Sequence, residues 1–531
     1  MSYSQAWLEN PASIRVVLVV VTAYNVLTTV ENTFYFSTTG YVTTDGVLFN
    51  PVVAGTVGFQ ESISEDGSVS MSFGDIELYN LNGELDNYLD STKYVWSNRS
   101  IKVYYGDPGW QYSLANIASN FLTIFDGVVD DIDSRTTRTI NFRVRDKLER
   151  LNSPLGENKI GTYGTWAQGQ QNADTSRPIV FGEVFNITPV LINPATLEYV
   201  FSSDNPAQNT GFSANGGSEA LLEIRDNGVP IYIPGHATLG TGATVNLATS
   251  TFTLTRTPSG TVTCSVQGIK ETVNLTTGVV NSTTYTNTIP NTIAVIATQY
   301  GKASTRLSVN ELDLPTFNAF NQTAEIGLLA QCSDNVLAVC KDLAYSVGGQ
   351  LIMSRTGLLR LIQFGTALST VTSVSINQDD MLFDSLSISR RLGVKAAFKL
   401  AYGKNYTVQS GLLSSIPDQH KTSFATEWLT TTASNATIKN TYRLDVDPIE
   451  KPTSLISTAD ATAEATRLNN YFDDQRVVYS FTGKPRLLSL VLGQGVTLTH
   501  HRFGLSSGKT GQVIRLAPDW NKQQVEVEVI V

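Results

Sequence analysis

Asp126, Asp130, Asp131 and Asp133 crowd into one short stretch and are the sharpest candidates for chemistry in this sequence. Two carboxylates can serve as acid and base, or as acid and nucleophile, on a glycosidic bond. Several together can bind calcium alongside backbone carbonyls. The calcium-loop spacing needs a central Gly and a Glu at its twelfth position, and this stretch has neither. The aspartates therefore read as a solvated turn and strand, with Asp126 and Asp130 left as the pair a glycan hydrolase would use. The chain has only four histidines, His236, His420, His500 and His501. The adjacent pair falls on an expected strand, where neighbouring side chains face opposite sides and cannot chelate one metal together. No GxSxG, HExxH, phosphate-binding or dinucleotide fingerprint occurs. No catalytic residue, metal or cofactor is expected. Tyr104, Tyr105 and Trp110 could stack on sugars, but read as sheet and interface aromatics.

The net charge of −10 and the lack of any long basic run argue against specific nucleic-acid binding. Three cysteines, Cys264, Cys332 and Cys340, form no CxxC, and their odd number argues against a disulfide framework. Cys332 and Cys340 fall in one expected helical segment, and a reducing cytoplasm is the expected site of synthesis. The apolar run from Val16 to Val21 lacks a basic leader, with Glu9, Pro11 and Arg15 at its flank. It is too short to span a membrane and reads as a buried strand. The triplets at Asn98, Asn186, Asn274 and Asn281 read as chance matches to the glycosylation signal.

At 531 residues the chain needs several cores, and 41% hydrophobic against 16% charged residues makes it foldable. Thr, Ser, Asn and Gly fill the difference and suit β-sheet surfaces and turns. A pattern near residue 130 returns at the end of the chain. FDGVVDDIDSRTTRTINFRVRD surrounds Gly127, and KTGQVIRLAPDWNKQQVEVEVIV runs from Lys509 to Val531. Each has a Gly, a Val-containing strand, a polar turn and a strictly alternating strand: Ile140, Phe142 and Val144 in one, Val525, Val527 and Val529 in the other. Period-two alternation marks a half-buried strand, so one β-module is read as used twice. Val525, Val527 and Val529, with no covering element after them, read as an edge strand suited to pairing with a neighbouring subunit.

Between these ends, 155–180 reads as a Gly- and Gln-rich connector and 179–300 as a β-rich insertion. There STFTLTRT and TVTCSVQG are expected to pair as a hairpin about Pro258-Ser259-Gly260. Ser333 is expected to cap a helix with Val336, Val339, Cys340, Leu343 and Val347 on its apolar stripe. A hairpin about Arg355-Thr356-Gly357 follows, and a second helix starts at Ser457 with Asp460. The polar stretch 430–441 reads as an exposed loop or arm. The expected fold is mainly β with a small α+β part: two similar β-barrel modules at the chain ends, with a β-rich insertion domain and a helix-plus-hairpin domain between them. The expected boundaries are 1–152, 153–310, 311–368 and 369–531.

This order of modules resembles the baseplate or tail-tip hub proteins of tailed bacteriophages. The likeness rests on FDGVVDDI…RTINFRVRDKLERL (125–151), on KPRLLSLVLGQGVTL…GQVIRLAPDWNKQQVEVEV (484–529), and on the 250–268 hairpin, which is similar to one in tail-tip proteins. The resemblance implies a structural protein of the virion tail tip, assembled in the host cytoplasm. It implies a homotrimer presenting six near-equivalent barrels, which adapts a six-fold tail tube to a three-fold tip around the genome channel. Implied partners are a distal tail protein or tail tube ring, the tape-measure protein, and tail fibre or tip proteins. Members with a fused lysozyme or peptidase carry an extra domain, and none is expected here. In such a ring, Asp130, Asp131 and Asp133 are candidates for a lumen-facing acidic turn along which DNA would slide. Two alternatives stay open: a distal-tail or receptor- or carbohydrate-binding tail protein, and a glycan hydrolase using Asp126 and Asp130.

Overall fold

Valine-rich and alternating segments set the architecture of the computed structural model. It describes residues 3–64, 73–157, 159–162, 172–202, 217–412, 414, 416–445 and 447–531, with the backbone alone at 55, 56, 73 and 162. Most of the strand expected at 68–73 and the middle of the 155–180 connector lie outside the described residues. The chain divides into two compact units, neither continuous in sequence. Unit 1 is Met1–Glu149, Ile352–Leu392 and Arg476–Val531; unit 2 is Arg150–Leu351 and Gly393–Gln475.

Unit 1 is built on one 14-stranded sheet. Its principal strands are β1 (Val16–Asn25), β2 (Val30–Ser37), β3 (Val53–Ser62), β4 (Phe73–Tyr79), β5 (Ser100–Gly106), β6 (Leu122–Thr136), β7 (Thr139–Arg145), β8 (Val374–Ile376), β9 (Ser387–Arg391), β10 (Val477–Gly483), β11 (Gly495–Leu498), β12 (Lys509–Asp519) and β13 (Gln524–Ile530). They are ordered β2-β1-β5-β6-β7-β4-β3-β12-β13-β10-β9, with β8 and β11 joining alongside β12. Among the described residues the ladder does not close on itself; β2 and β9 end it. The run at β1 is buried on both faces, as its unbroken valines require. In β7 and β13 the alternation sorts the faces: Ile140, Phe142 and Val144 lie inside while Arg143 is exposed, and Val525, Val527 and Val529 lie inside while Glu526 is exposed. Each buried Val, Ile or Phe is worth roughly 1.5–3 kcal/mol. A one-residue slip of β13 would put Glu526 and Glu528 into that core, so the register is strongly set. Phe59 and Phe125 stack at 4.4 Å inside it.

Unit 2 has two facing sheets around one core. Val229–Tyr232, Ser218–Asp226, Val262–Ile269, Pro178–Ile187 and Gly327–Gln331 form one; Val190–Asn193, Glu198–Val200, Thr251–Leu254 and Ala243–Asn246 form the other. The hairpin expected at 250–268 is therefore corrected. Phe252, Leu254, Val262, Cys264 and Val266 share a core as expected, but they reach it from opposite sheets. The linker between them is tied down where the Asp226 carboxylate accepts from the Ser259 and Gly260 amides at 2.8 and 2.7 Å. The helix Val336–Tyr345 is present, but its cap is Asn335, whose side chain accepts from the Ala338 amide; Ser333 lies two residues too early. Cys332 sits in the turn before that helix, not on it. The helix Thr458–Phe472 capped by Ser457 lies where the sequence places it, as does the hairpin of Gly349–Met353 and Leu359–Gln363, most of which belongs to unit 1. The polar stretch at 430–441 is ordered: a strand, Leu429–Ser434, then a helix, Ala436–Tyr442, capped by Asn435. Both are without a buried residue, which the Thr-rich composition allows for a solvated ribbon.

Candidate functional site

The repeated glycines lead to the most informative geometry in unit 1. At Gly127 a Cβ would sit 2.4 Å from the Arg145 carbonyl oxygen; at Gly511 it would sit 2.3 Å from that of Ile530. Each glycine lets its strand approach the alternating strand beside it, a contact only a residue without a side chain permits. The surrounding ladders match strand for strand. The order β3-β4-β7-β6-β5 in the N-terminal half corresponds to β9-β10-β13-β12-β11 in the C-terminal half, antiparallel throughout. Each carries a bulge at the same place, with Asp130 the extra residue of β6 and Ile514 that of β12. The duplication read from the sequence is a duplicated fold of five strands.

The two modules join within the chain. The outer strand of the first, β3, pairs with the late half of β12 in the second: Arg515 opposite Ser62, Leu516 opposite Glu61, Asp519 opposite Gly58. Across this joint Arg515 donates from Nη2 to the Gln60 Oε1 at 3.2 Å. Tyr105 and Trp520 pack at 5.0 Å, and the Tyr105 hydroxyl donates to the Trp520 carbonyl. The buried Arg355 guanidinium lies 5.7 Å from the Trp520 ring and donates to the carbonyls of Leu488 and Leu490 at 3.0 and 2.9 Å.

The expected site residues fall as follows. Val525, Val527 and Val529 are core residues of β13, which has β12 on one side and β10 on the other. The edge reading of this strand is corrected: β10, far away in sequence, occupies the side that local pattern leaves open. The acidic group is also corrected from turn to strand. Asp130, Asp131 and Asp133 lie in β6, and the reversal comes at Thr137–Arg138. Two of them have cross-strand partners, Asp133 with Arg143 at 2.5 Å and Asp130 with Arg145 at 3.3 Å. The exposed face reads Asp131–Arg143–Asp75 across three strands, so carboxylates and guanidiniums alternate. Asp126 is held by Lys147 at 2.9 Å and Lys102 at 3.8 Å.

His500 and His501 follow the end of β11 and do not face apart; their rings stack at 4.4 Å. The His500 Nδ1 accepts from the Arg502 amide, and burial beside His501 and Arg502 lowers its pKa. Among the described residues no group of three or more His, Cys, Asp and Glu is placed to hold a metal ion. No helix there is long and apolar enough to cross a membrane. Tyr104, Tyr105 and Trp110 are buried, with the Trp110 carbonyl accepting from the Tyr41 hydroxyl. The three cysteines are buried and free, and burial pushes the Cys332 thiol up to about 12.

The sequence reading missed two features. One is Arg390, exposed on the terminal strand β9. The other is the side of β6 beyond Val129, where pairing with β5 has ended and, among the described residues, no other strand follows. The alternating arginines of INFRVRD opposite the aspartates were the available signal for the cross-strand ion pairs.

No protein-family model and no curated protein sequence matches the chain. Among solved structures, it is similar to the 43 kDa tail protein of prophage MuSo2 from Shewanella oneidensis, at 11% identity and TM-score 0.39, covering 97% of this chain and 98% of that one. It is similar to the prophage tail protein gp18 from Listeria monocytogenes EGD-e, at 8% identity and TM-score 0.38, over 97% and 94% of the two chains. A chain of the native gene transfer agent virion is similar at 13% identity and TM-score 0.42, over 72% of this chain and 91% of that one.

Proposed function

We propose that this chain is a structural hub of a phage tail tip, a homotrimer whose six modules adapt a six-fold tube to a three-fold tip and surround part of the genome path. The observation that carries the reading is the five-strand order present twice in unit 1, joined through β3 and β12. Two like modules in each of three chains give six near-equivalent positions, and closed cyclic symmetry is the common solution for such assemblies. Among the described residues the outer side of β9, and that of β2 ahead of Tyr35, leave unpaired backbone that an assembly would cover. The partners in this reading are a tail tube ring or distal tail protein, the tape-measure protein, and fibre or tip proteins. The test is the mass of the purified chain at micromolar concentration. A trimer is expected; a hexamer would favour a distal-tail ring, and a monomer would count against both.

The role is structural, not catalytic. Asp126 and Asp130 are each engaged in ion pairs with lysine or arginine. Replacing both with Asn should leave any effect of the protein on host glycans unchanged and cost stability of about 1 kcal/mol per exposed pair or less, more at the better buried Asp126. A glycan-cleaving activity that disappears in that variant would overturn this view.

Asp130, Asp131 and Asp133 remain the candidates for a wall along the genome path. With Arg143 and Arg145 beside them, the wall would be of mixed charge, which also limits hold on phosphate. A density map of the assembled ring with a continuous basic lining along its axis would refute it.

A further inference from the structure

We infer that a second copy of this chain adds its β9 edge to the late half of β6, repeating between chains the joint that β3 and β12 make within one. This rests on the oligomeric reading above and specifies its interface. The matching of the two modules fixes the residues. Gly511 corresponds to Gly127 and the bulge at Ile514 to that at Asp130, so Arg515 on β12 corresponds to Asp131 on β6.

On the other side, Gln60 is opposite Phe73, which is opposite Arg145; Arg390 is opposite Val478, which is opposite Ile530. Arg145 and Ile530 carry the carbonyls that face the two matched glycines. Gln60 therefore corresponds to Arg390. The side-chain bond from Arg515 to Gln60 inside the chain becomes Arg390 to Asp131 between chains.

The chemistry at those positions fits. The internal joint places a guanidinium against an amide; the external one places a guanidinium against a carboxylate. Asp131 and Arg390 are both exposed, and neither forms an ion pair among the described residues. Among the described residues Asp131 accepts only from the amide of Ile132. The backbone is available on both sides as well. Among the described residues β6 has no strand beyond Val129 on the side away from β7, and β9 has only β10 beside it. The corresponding sites of the internal joint are occupied, by β3 on β12 and by β12 on β3. A contact of this head-to-tail kind is heterologous and closes into a ring when the rotation permits.

The experiment uses the full chain. Asp131→Arg and Arg390→Asp are each expected to weaken self-association by roughly tenfold, through loss of the pair and a new like-charge contact, and together to restore it to within about threefold. A chain carrying Asp133→Cys and Arg390→Cys, which the register of the internal joint sets directly opposite each other, should form disulfide-linked species of two or more copies under mild oxidation, since the native cysteines are buried. If the chain assembles but the single reversals have no effect and no cross-link forms, the contact is wrong and the hub reading stands. If the unaltered chain stays monomeric at high concentration, both fall.

Discussion

Gly127→Ala and Gly511→Ala should each destabilise unit 1 by roughly 3 kcal/mol, lowering its thermal midpoint by about 6–12 °C. The added methyl would overlap the backbone carbonyls of Arg145 and Ile530, and backbone cannot step aside as a flexible side chain can. Relief would require the paired strands to separate. That would break ladder hydrogen bonds beside buried Val129 and Val144 in one module, and Val513 and Val529 in the other. Gly393→Ala is the control: a Cβ there meets nothing within 4 Å, so its effect should stay within about 0.5 kcal/mol. Chemical denaturation measures all three, followed by a probe of unit 1 for the first two and by a probe of unit 2 for Gly393→Ala. If either module tolerates its alanine while the other does not, the two glycines do not do the same job.

Those glycines were legible because their cause is local. A Gly ahead of an alternating strand repeats visibly, and so do Ile140, Phe142 and Val144 against Val525, Val527 and Val529. What escaped the sequence was pairing between distant segments. Nothing near Val525 shows that β10, beginning at Val477, will lie on its open side. The hairpin expected between Phe252 and Val266 failed for a related reason. An apolar face shared with a neighbour looks the same whether that neighbour is the next strand or the opposite layer of a sandwich. Asp130, Asp131 and Asp133 were assigned to a turn because acidic residues are common in turns, yet Arg143 and Arg145 on the next strand stood ready as partners for Asp133 and Asp130. Arg390 carried no signal of its own, since its meaning comes from correspondence with Gln60 in the other module.

Trp520→Ala is expected to cost about 3–5 kcal/mol and to loosen the joint between the two modules before any other part of the sheet. Trp520 is 1% exposed and packs on Tyr105 from the first module, with the Arg355 guanidinium nearby. Its own amide donates to the Val57 carbonyl at 3.2 Å, and the Ile63 amide donates to Ile514 at 2.9 Å, which closes the β3–β12 ladder at both ends. Truncation would leave a cavity under that ladder and remove the apolar cover of a buried cation. Hydrogen exchange should therefore show faster exchange at the amides of Ile63 and Trp520 than at those of β1. Trp520→Phe separates packing from hydrogen bonding. The indole Nε1 is buried and has no hydrogen-bond partner among the described residues, so phenylalanine keeps much of the ring and gives up no hydrogen bond. Its cost should stay below about 1.5 kcal/mol. Equal losses for the Ala and Phe variants would mean that the part of the indole phenylalanine lacks, not the ring bulk it keeps, holds the modules together.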